Sequence, residues 1–396
     1  MMVPHAVGVV APRVLTHWST HSRKAPHLLK PGRMPMRVSA KNTNVGTHDV
    51  SSQSPGHGLV PGFLTRVAEC NDIADRDIGG KYIPLIVAGR AVGLMQPQFA
   101  AELVKAGKDV FEVRRRDDDG LMNKETLKSE ETNVKAQYGT VVRADEWQAL
   151  MDDPNALLTT KTAVTLDHSN QLTPDQRSDQ VAPVLLKLKE TETITGWRDE
   201  LFPVNTSYGE EILLTVERAS ASLLGIKAYG VHVNGYTIYS KTNRVKQLWV
   251  ARRSKTKQTF PDMLDHLVAG GLPSGMDPSI CCVKECEEEA SVPIELSKNA
   301  KPCGIVTYNS DYKGCCKRDI LFVYDLELPE DFVPTPNDGE VEGFELLPIE
   351  DAMKLVATSN EFKPNVALVL CDFFVRNGLV TPEEPGYVEL VKSLRQ

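Results

Sequence analysis

Glu285, Glu288 and Glu289, within the run Lys284-Glu285-Cys286-Glu287-Glu288-Glu289, have the types and spacing that chemistry would need. On a helix, separations of three and four residues put all three carboxylates on one side. Like charges this close repel, and a hard divalent cation removes the repulsion. Oxygen-only ligands suit Mg²⁺ or Mn²⁺. A cation held there shields the charge of a bound anion, orients it and lowers the pKa of a bound water. Ahead of the acids lies Gly270-Gly271-Leu272-Pro273-Ser274-Gly275, read as a glycine-rich turn that lets backbone approach a ligand closely. Without that turn, an acidic run is ordinarily a solvated helix face.

Local signals supply the elements that position these residues. Asp277-Pro278 is a helix start, an N-cap acid followed by proline at the first position, and Val292-Pro293 ends the run. Leu267-Val268-Ala269 leads into the glycines. Val231 to Tyr236, Val245 to Arg253, Ile305 to Tyr308 and Ile320 to Leu326 read as strands by their β-branched and aromatic content. Val366 to Val375 reads as a helix closed by Asn377-Gly378. Further back, helices are expected at Phe63 to Cys70, at Phe99 to Ala106 and from Thr173-Pro174, with a kink or second start at Pro183. Tyr82 to Val87 and Ala91 to Met95 form two short strands turning at Gly89-Arg90, and Phe111 to Val113 a third. The charged stretch from Arg114 to Thr162 reads as a loop insertion with one short helix and no chemistry.

Gly270 to Val292 resembles the Nudix box, Gly-x5-Glu-x7-Arg-Glu-U-x-Glu-Glu-x-Gly-U, where U is apolar. Gly270 takes the first glycine, Lys284-Glu285-Cys286 the Arg-Glu-U, Glu288 and Glu289 the acidic pair, and Val292 the last position. Met276, Lys284 and Ser291 depart from it. Gly62-Phe63-Leu64, Arg198-Asp199-Glu200-Leu201-Phe202-Pro203-Val204, Glu217-Arg218-Ala219 and Gly225 to His232 resemble one Nudix branch. It contains plant chloroplast enzymes, a fungal relative and the Nudix portion of fungal thiamine pyrophosphokinase fusions.

The resemblance implies an α/β fold, a Nudix α/β/α sandwich with a mixed sheet, preceded by a smaller α+β accessory domain. It covers residues 60–396 except the insertion and places the accessory domain at 58–222, with its insertion around 114–162, and the Nudix domain at 223–396; residues 1–57 read by composition as transit peptide and linker. It implies metal binding by Glu285, Glu288, Glu289 and the Gly270 carbonyl, with Lys284 orienting Glu285. Glu340 follows as a further ligand or base, with Glu342 as its substitute, and Arg253 as a phosphate-binding residue. The cofactor expected is Mg²⁺ or Mn²⁺. The substrate implied is an oxidised (oxo or oxy) thiamine diphosphate, cleaved to monophosphate and phosphate. The alternatives are 8-oxo-dGDP or another nucleoside diphosphate, and a Nudix-fold binding module without catalysis. His232, Trp249 and Tyr308 read as structural.

Composition bounds the remainder. The 396 residues are enough for two or three domains, and a net charge of −8 argues against a nucleic-acid-coating role. No apolar run reaches the roughly 20 residues of a membrane span. Eight cysteines include two adjacent pairs and no Cys-x-x-Cys, so neither a zinc site nor a disulfide scaffold is expected. Residues 1–48 hold seven Lys and Arg and no acid; removing those seven charges from −8 leaves −15 for the rest. With its scattered Ser, Thr, His and Pro, that segment has the composition of an organelle transit peptide, chloroplast first and mitochondrion as the alternative.

Overall fold

The computed structural model describes residues 54–73, 81–115, 140–142, 146, 149–150, 152–153, 155–156, 162–166 and 168–395. The basic segment 1–48 and most of the charged stretch after Arg115 lie outside them. The first helix, α1 (Val60–Cys70), begins three residues before the expected Phe63, because Pro61 sits in its first turn, where a missing N–H costs nothing. Phe63, Val67 and Cys70 face inward. They pack into the core built by the C-terminal helices, not into that of the N-terminal region to which the sequence reading assigns this stretch.

The N-terminal sheet starts with β1 (Ile83–Val87) and β2 (Arg90–Met95). They turn at Ala88 and Gly89, with φ of 51° and 75°, the mirror-image turn that matches strand twist. After α2 (Pro97–Ala106) come β3 (Phe111–Arg115), β4 (Thr140–Val141) and β5 (Thr162–Leu166). The order is β2-β1-β5-β3-β4, with β5 parallel to β1 and antiparallel to β3. β5 is central yet absent from the sequence reading, since five residues after a charged stretch carry little periodicity. The α3 helix (Pro174–Glu190) is fixed by a capping box between Thr173 and Gln176 and runs unbroken through Pro183. Pro183 is on the exposed side, where water serves the freed carbonyl. Next come the hairpin β6 (Leu201–Val204) with β7 (Leu214–Glu217) and the short α4 (Ala221–Leu224).

Gly225, with φ of 61°, caps α4. A Cβ there would overlap the Leu94 carbonyl. The chain then enters the second sheet through β8 (Lys227–Ile238), β9 (Val245–Arg253), β10 (Leu264–Asp265) and β11 (Val268–Gly271). Helices α5 (Pro278–Ala290) and α6 (Ile294–Ser297) precede the long hairpin β12 (Lys301–Tyr312) and β13 (Cys315–Glu327). Then follow β14 (Val341–Pro348), α7 (Ile349–Thr358), α8 (Pro364–Arg376) and α9 (Tyr387–Ser393). The path is β10-β9-β8-β13-β12, with β11 also on β8 and β14 on β9. β8 runs parallel to β13 and antiparallel to β9, so the sheet is mixed.

Alternating residues divide this sheet between two cores. Leu248, Val250, Leu321 and Val323 pack under α7 and α8. Trp249, Val231, Val233, Tyr324 and Leu326 pack under α5. The strand period of two therefore sends each strand's side chains to both helical layers, giving the expected α/β/α sandwich.

Candidate functional site

The site is built where α5 passes the end of β11. Gly270 and Gly271 pair with Val231 and Gly230 as strand residues, so the expected turn lies later, at Pro273 to Met276, with Gly275 at φ 82°. Asp277 is the N-cap residue by position, although its side chain makes no capping bond. Cys281, Cys282, Cys286 and Ala290 bury the inner side of α5, and Met276 packs beside them. That explains a methionine where the motif has glutamate. Ser291 ends the helix in the left-handed region, φ 51°, which costs a side-chain-bearing residue roughly 1 kcal/mol. Its hydroxyl donates to the Thr335 carbonyl at 3.0 Å, tying the helix end to the segment that leads to Glu340.

This packing separates the three glutamates. Glu289 is buried, and its Oε2 accepts from the Ala269 N–H at 3.0 Å. Burial pushes its carboxyl well above the usual range; the Ala269 bond opposes this, while Asp265, Glu285 and Glu340 add to it. Glu285 lies one turn earlier against Gly270, where a Cβ would overlap its carboxyl carbon and come within 2.6 Å of its Cγ. Burial also raises Glu285, against the charges of Lys284 and Arg218. Glu288 is exposed and paired with Lys284, whose Nζ is also 3.8 Å from Glu285. Lys284 thus bridges two box carboxylates, while Glu288 stands at the rim instead of beside Glu289.

The loop before β14 completes the acidic group. Glu289, Asp338 and Glu340 each offer an oxygen within 4.8 Å of the others. Asp338 also accepts from the Glu340 N–H at 2.8 Å, which shapes the loop. Although burial would raise Glu340, its pair with Lys257 and the charges of Arg198 and Arg218 hold it below the usual range. Glu342 accepts from the Lys255 N–H at 3.1 Å and so braces the facing loop. Asp338 and Lys257 have no role in the sequence reading. Asp338 lies two residues before Glu340, close enough for that neighbour to have pointed to it, whereas Lys257 has no local signal.

The donor set fits a hard cation. Every side-chain group offered is a carboxylate, and Glu289 is buried with no ion-pair partner among the described residues. A buried unpaired carboxylate is costly and is relieved by a bound cation.

Arg253, expected to bind phosphate, is oriented differently. Its Nη1 donates to Asp265 at 2.7 Å, its Nε to the Phe260 carbonyl at 2.9 Å and its Nη2 to the Thr259 carbonyl at 2.9 Å. All three nitrogens are engaged by protein, so Arg253 holds the loop that carries Lys257. Burial would raise Asp265, but Lys363 and Arg253 together hold it well below the usual range. Removing one partner of such a buried pair costs about 3–5 kcal/mol. Arg253→Met is accordingly expected to lose stability of that order in urea unfolding, with Arg253→Lys intermediate. A variant as stable as wild type but defective in substrate affinity would return Arg253 to phosphate binding.

The residues read as structural are buried: His232, Trp249 and Tyr308. His232 packs edge to face on His266 at 4.9 Å, and burial holds both imidazoles neutral, His266 at about 4. Burial pushes the Cys281 thiol up to about 12, which makes it a packing residue and a poor nucleophile.

Comparison with known proteins shows the family. A family model described as NUDIX domain matches residues 229–367, and one described as a domain of unknown function (DUF4743) matches 133–228. Nudix hydrolase 20, chloroplastic, of Arabidopsis thaliana is 46% identical over 335 residues, 84% of this chain and 78% of its own length. Nudix hydrolase 24, chloroplastic, of the same plant is 45% identical over 334 residues, with the same coverage. An uncharacterised protein of Saccharomyces cerevisiae is 40% identical over 248 residues, 58% of this chain and 68% of its own. On the strength of the two plant relatives, matched over most of their length, the chain is a hydrolase and belongs to the Nudix hydrolase family.

Proposed function

We propose that the chain hydrolyses an organic diphosphate with a divalent cation, Mg²⁺ or Mn²⁺, held by Glu289 with Glu285, Glu340 and the Gly270 carbonyl. The buried Glu289, facing Asp338 and Glu340 from another element, is the observation that carries this reading. The bound cation would neutralise charge on the diphosphate and favour ionisation of water. Gly270 leaves room for the Glu285 carboxyl beside the strand end. Lys284 orients Glu285 and keeps Glu288 at the rim. Lys257 holds Glu340 ionised and fixed. Water adds to the terminal phosphorus, the bridging P–O bond breaks, and a monophosphate, inorganic phosphate and a proton leave.

The substrate we assign is an oxidised thiamine diphosphate, on the resemblance of the phrases at 62–64, 198–204, 217–219 and 225–232 to the thiamine-related branch. The compartment we assign is the chloroplast, on the acid-free basic segment and the chloroplastic relatives. Phosphate release from thiamine diphosphate, its oxo and oxy forms and 8-oxo-dGDP, measured side by side with Mg²⁺, tests the substrate. The oxidised thiamine diphosphates are expected to show the highest kcat/KM. A higher value for 8-oxo-dGDP would replace this substrate with a nucleoside diphosphate and leave the site unchanged.

A further inference from the structure

Arg218 lies outside the segment matched as a NUDIX domain, yet the fold brings it to the Nudix box. Leu201 pairs with Glu217 across the β6–β7 hairpin, which sets Glu200 beside Arg218. The Arg218 N–H donates to the Glu200 carbonyl at 2.8 Å, and Nη1 donates to the Glu200 carboxylate at 2.6 Å. The guanidinium lies over the Phe202 ring, 5.4 Å from its centroid. The hairpin is pinned to the loop before α5 by a bond from the Ser274 N–H to the Leu201 carbonyl at 2.9 Å. A Cβ on Gly271 would meet Phe202 at 2.9 Å and the Arg218 guanidinium carbon at 3.0 Å. Gly270 therefore accommodates Glu285, and the next glycine accommodates Arg218.

Three features separate this arginine from an ordinary exposed ion pair. It is fixed in direction by a carboxylate, a ring and a backbone bond. Among the described residues only Nη1 is engaged, which leaves Nε and Nη2 available. It packs on Gly271, the strand residue next to the Gly270 that Glu285 covers, which places it at the Nudix box. The planar guanidinium fork matches phosphate oxygens.

We propose that Arg218 is a substrate-binding residue that takes a phosphate oxygen of the diphosphate, with Glu200 and Phe202 as its positioning residues. The β6–β7 hairpin, from the region preceding the NUDIX match, is then one wall of the site. This rests on the diphosphate reading above and deepens it.

Binding of methylenediphosphonate, a non-hydrolysable diphosphate, to the full-length protein with Mg²⁺ tests the proposal by calorimetry, alongside a titration with Mn²⁺ alone. Arg218→Ala and Arg218→Lys, which keeps the charge but loses the fork, are each expected to weaken methylenediphosphonate binding about 10-fold or more, as loss of a charge-assisted hydrogen bond does. Mn²⁺ affinity and melting temperature are expected to stay at wild-type values. Unchanged methylenediphosphonate affinity in both variants would overturn the proposal. So would a parallel loss of Mn²⁺ binding, which would make Arg218 a support of the carboxylates, or a wild-type protein that does not bind the probe. Failure of the thiamine or hydrolysis reading shows separately, as absent turnover with binding of the probe intact.

Discussion

Glu289→Gln is expected to lower phosphate release by about 10³-fold or more, because the cation it removes supplies several kcal/mol at the reacting phosphate. The same change is expected to leave the metal-free protein as stable as wild type, or more stable, near neutral pH. The reason is the sign of the Glu289 shift. Burial raises its carboxyl well above the usual range, so the folded chain holds that proton more tightly than the unfolded chain does. Stability from this group is present at low pH and is lost as pH rises through the raised value. Glutamine removes the charge and the loss with it. Mg²⁺ removes it another way, since the cation binds the ionised form and is expected to raise the wild-type melting temperature more at about pH 8 than at about pH 5. Melting curves at the two pH values, with and without Mg²⁺, check both statements. A Glu289→Gln protein with wild-type turnover would remove Glu289 from the site.

Gly270→Ala is expected to separate activity from stability. The added Cβ meets the Glu285 carboxyl group, the far end of a flexible side chain, and not backbone. The chain can therefore accept alanine by turning Glu285 away, at a stability cost of about 1 kcal/mol or less. A ligand moved by about 1 Å costs on the order of 10²-fold in rate. The expected result is a folded protein with a near-normal melting temperature, weaker Mn²⁺ binding and turnover down about 10²-fold. Gly271→Ala presses instead on Phe202 and Arg218, so its effect should fall on diphosphate affinity. Equal loss of stability and activity in Gly270→Ala would show that the glycine serves the strand and not Glu285.

The parts of this site that were legible in the sequence are those set by local spacing. Asp277-Pro278 and the Glu285 to Glu289 interval are features of one helix, and the structure contains that helix. Which glutamate faces inward was not legible, because positions three and four apart lie on nearly the same side and only packing chooses between them. Burial of Cys286 and Ala290 turns Glu289 inward and leaves Glu288 in solvent. Arg253 was read as a phosphate-binding residue; its surroundings, Thr259, Phe260 and Asp265, come from the loop and strand that follow and carry no signal of where they return. Arg198-Asp199-Glu200 and Glu217-Arg218-Ala219 stood out as phrases without a role. Their role depends on a hairpin and on its approach to Gly271, two long-range events that no window of sequence contains. The same holds for α1: its helical spacing was visible, but its docking under α8 was not.

The most direct test of the central claim is anomalous diffraction from crystals of the full-length protein soaked in Mn²⁺. A peak is expected about 2.1 Å from a Glu289 oxygen, the distance typical of small hard cations, with Glu285 or Glu340 completing its carboxylate ligands. Saturating Mn²⁺ that leaves no peak at Glu289, or that binds only on exposed acids elsewhere, would contradict it.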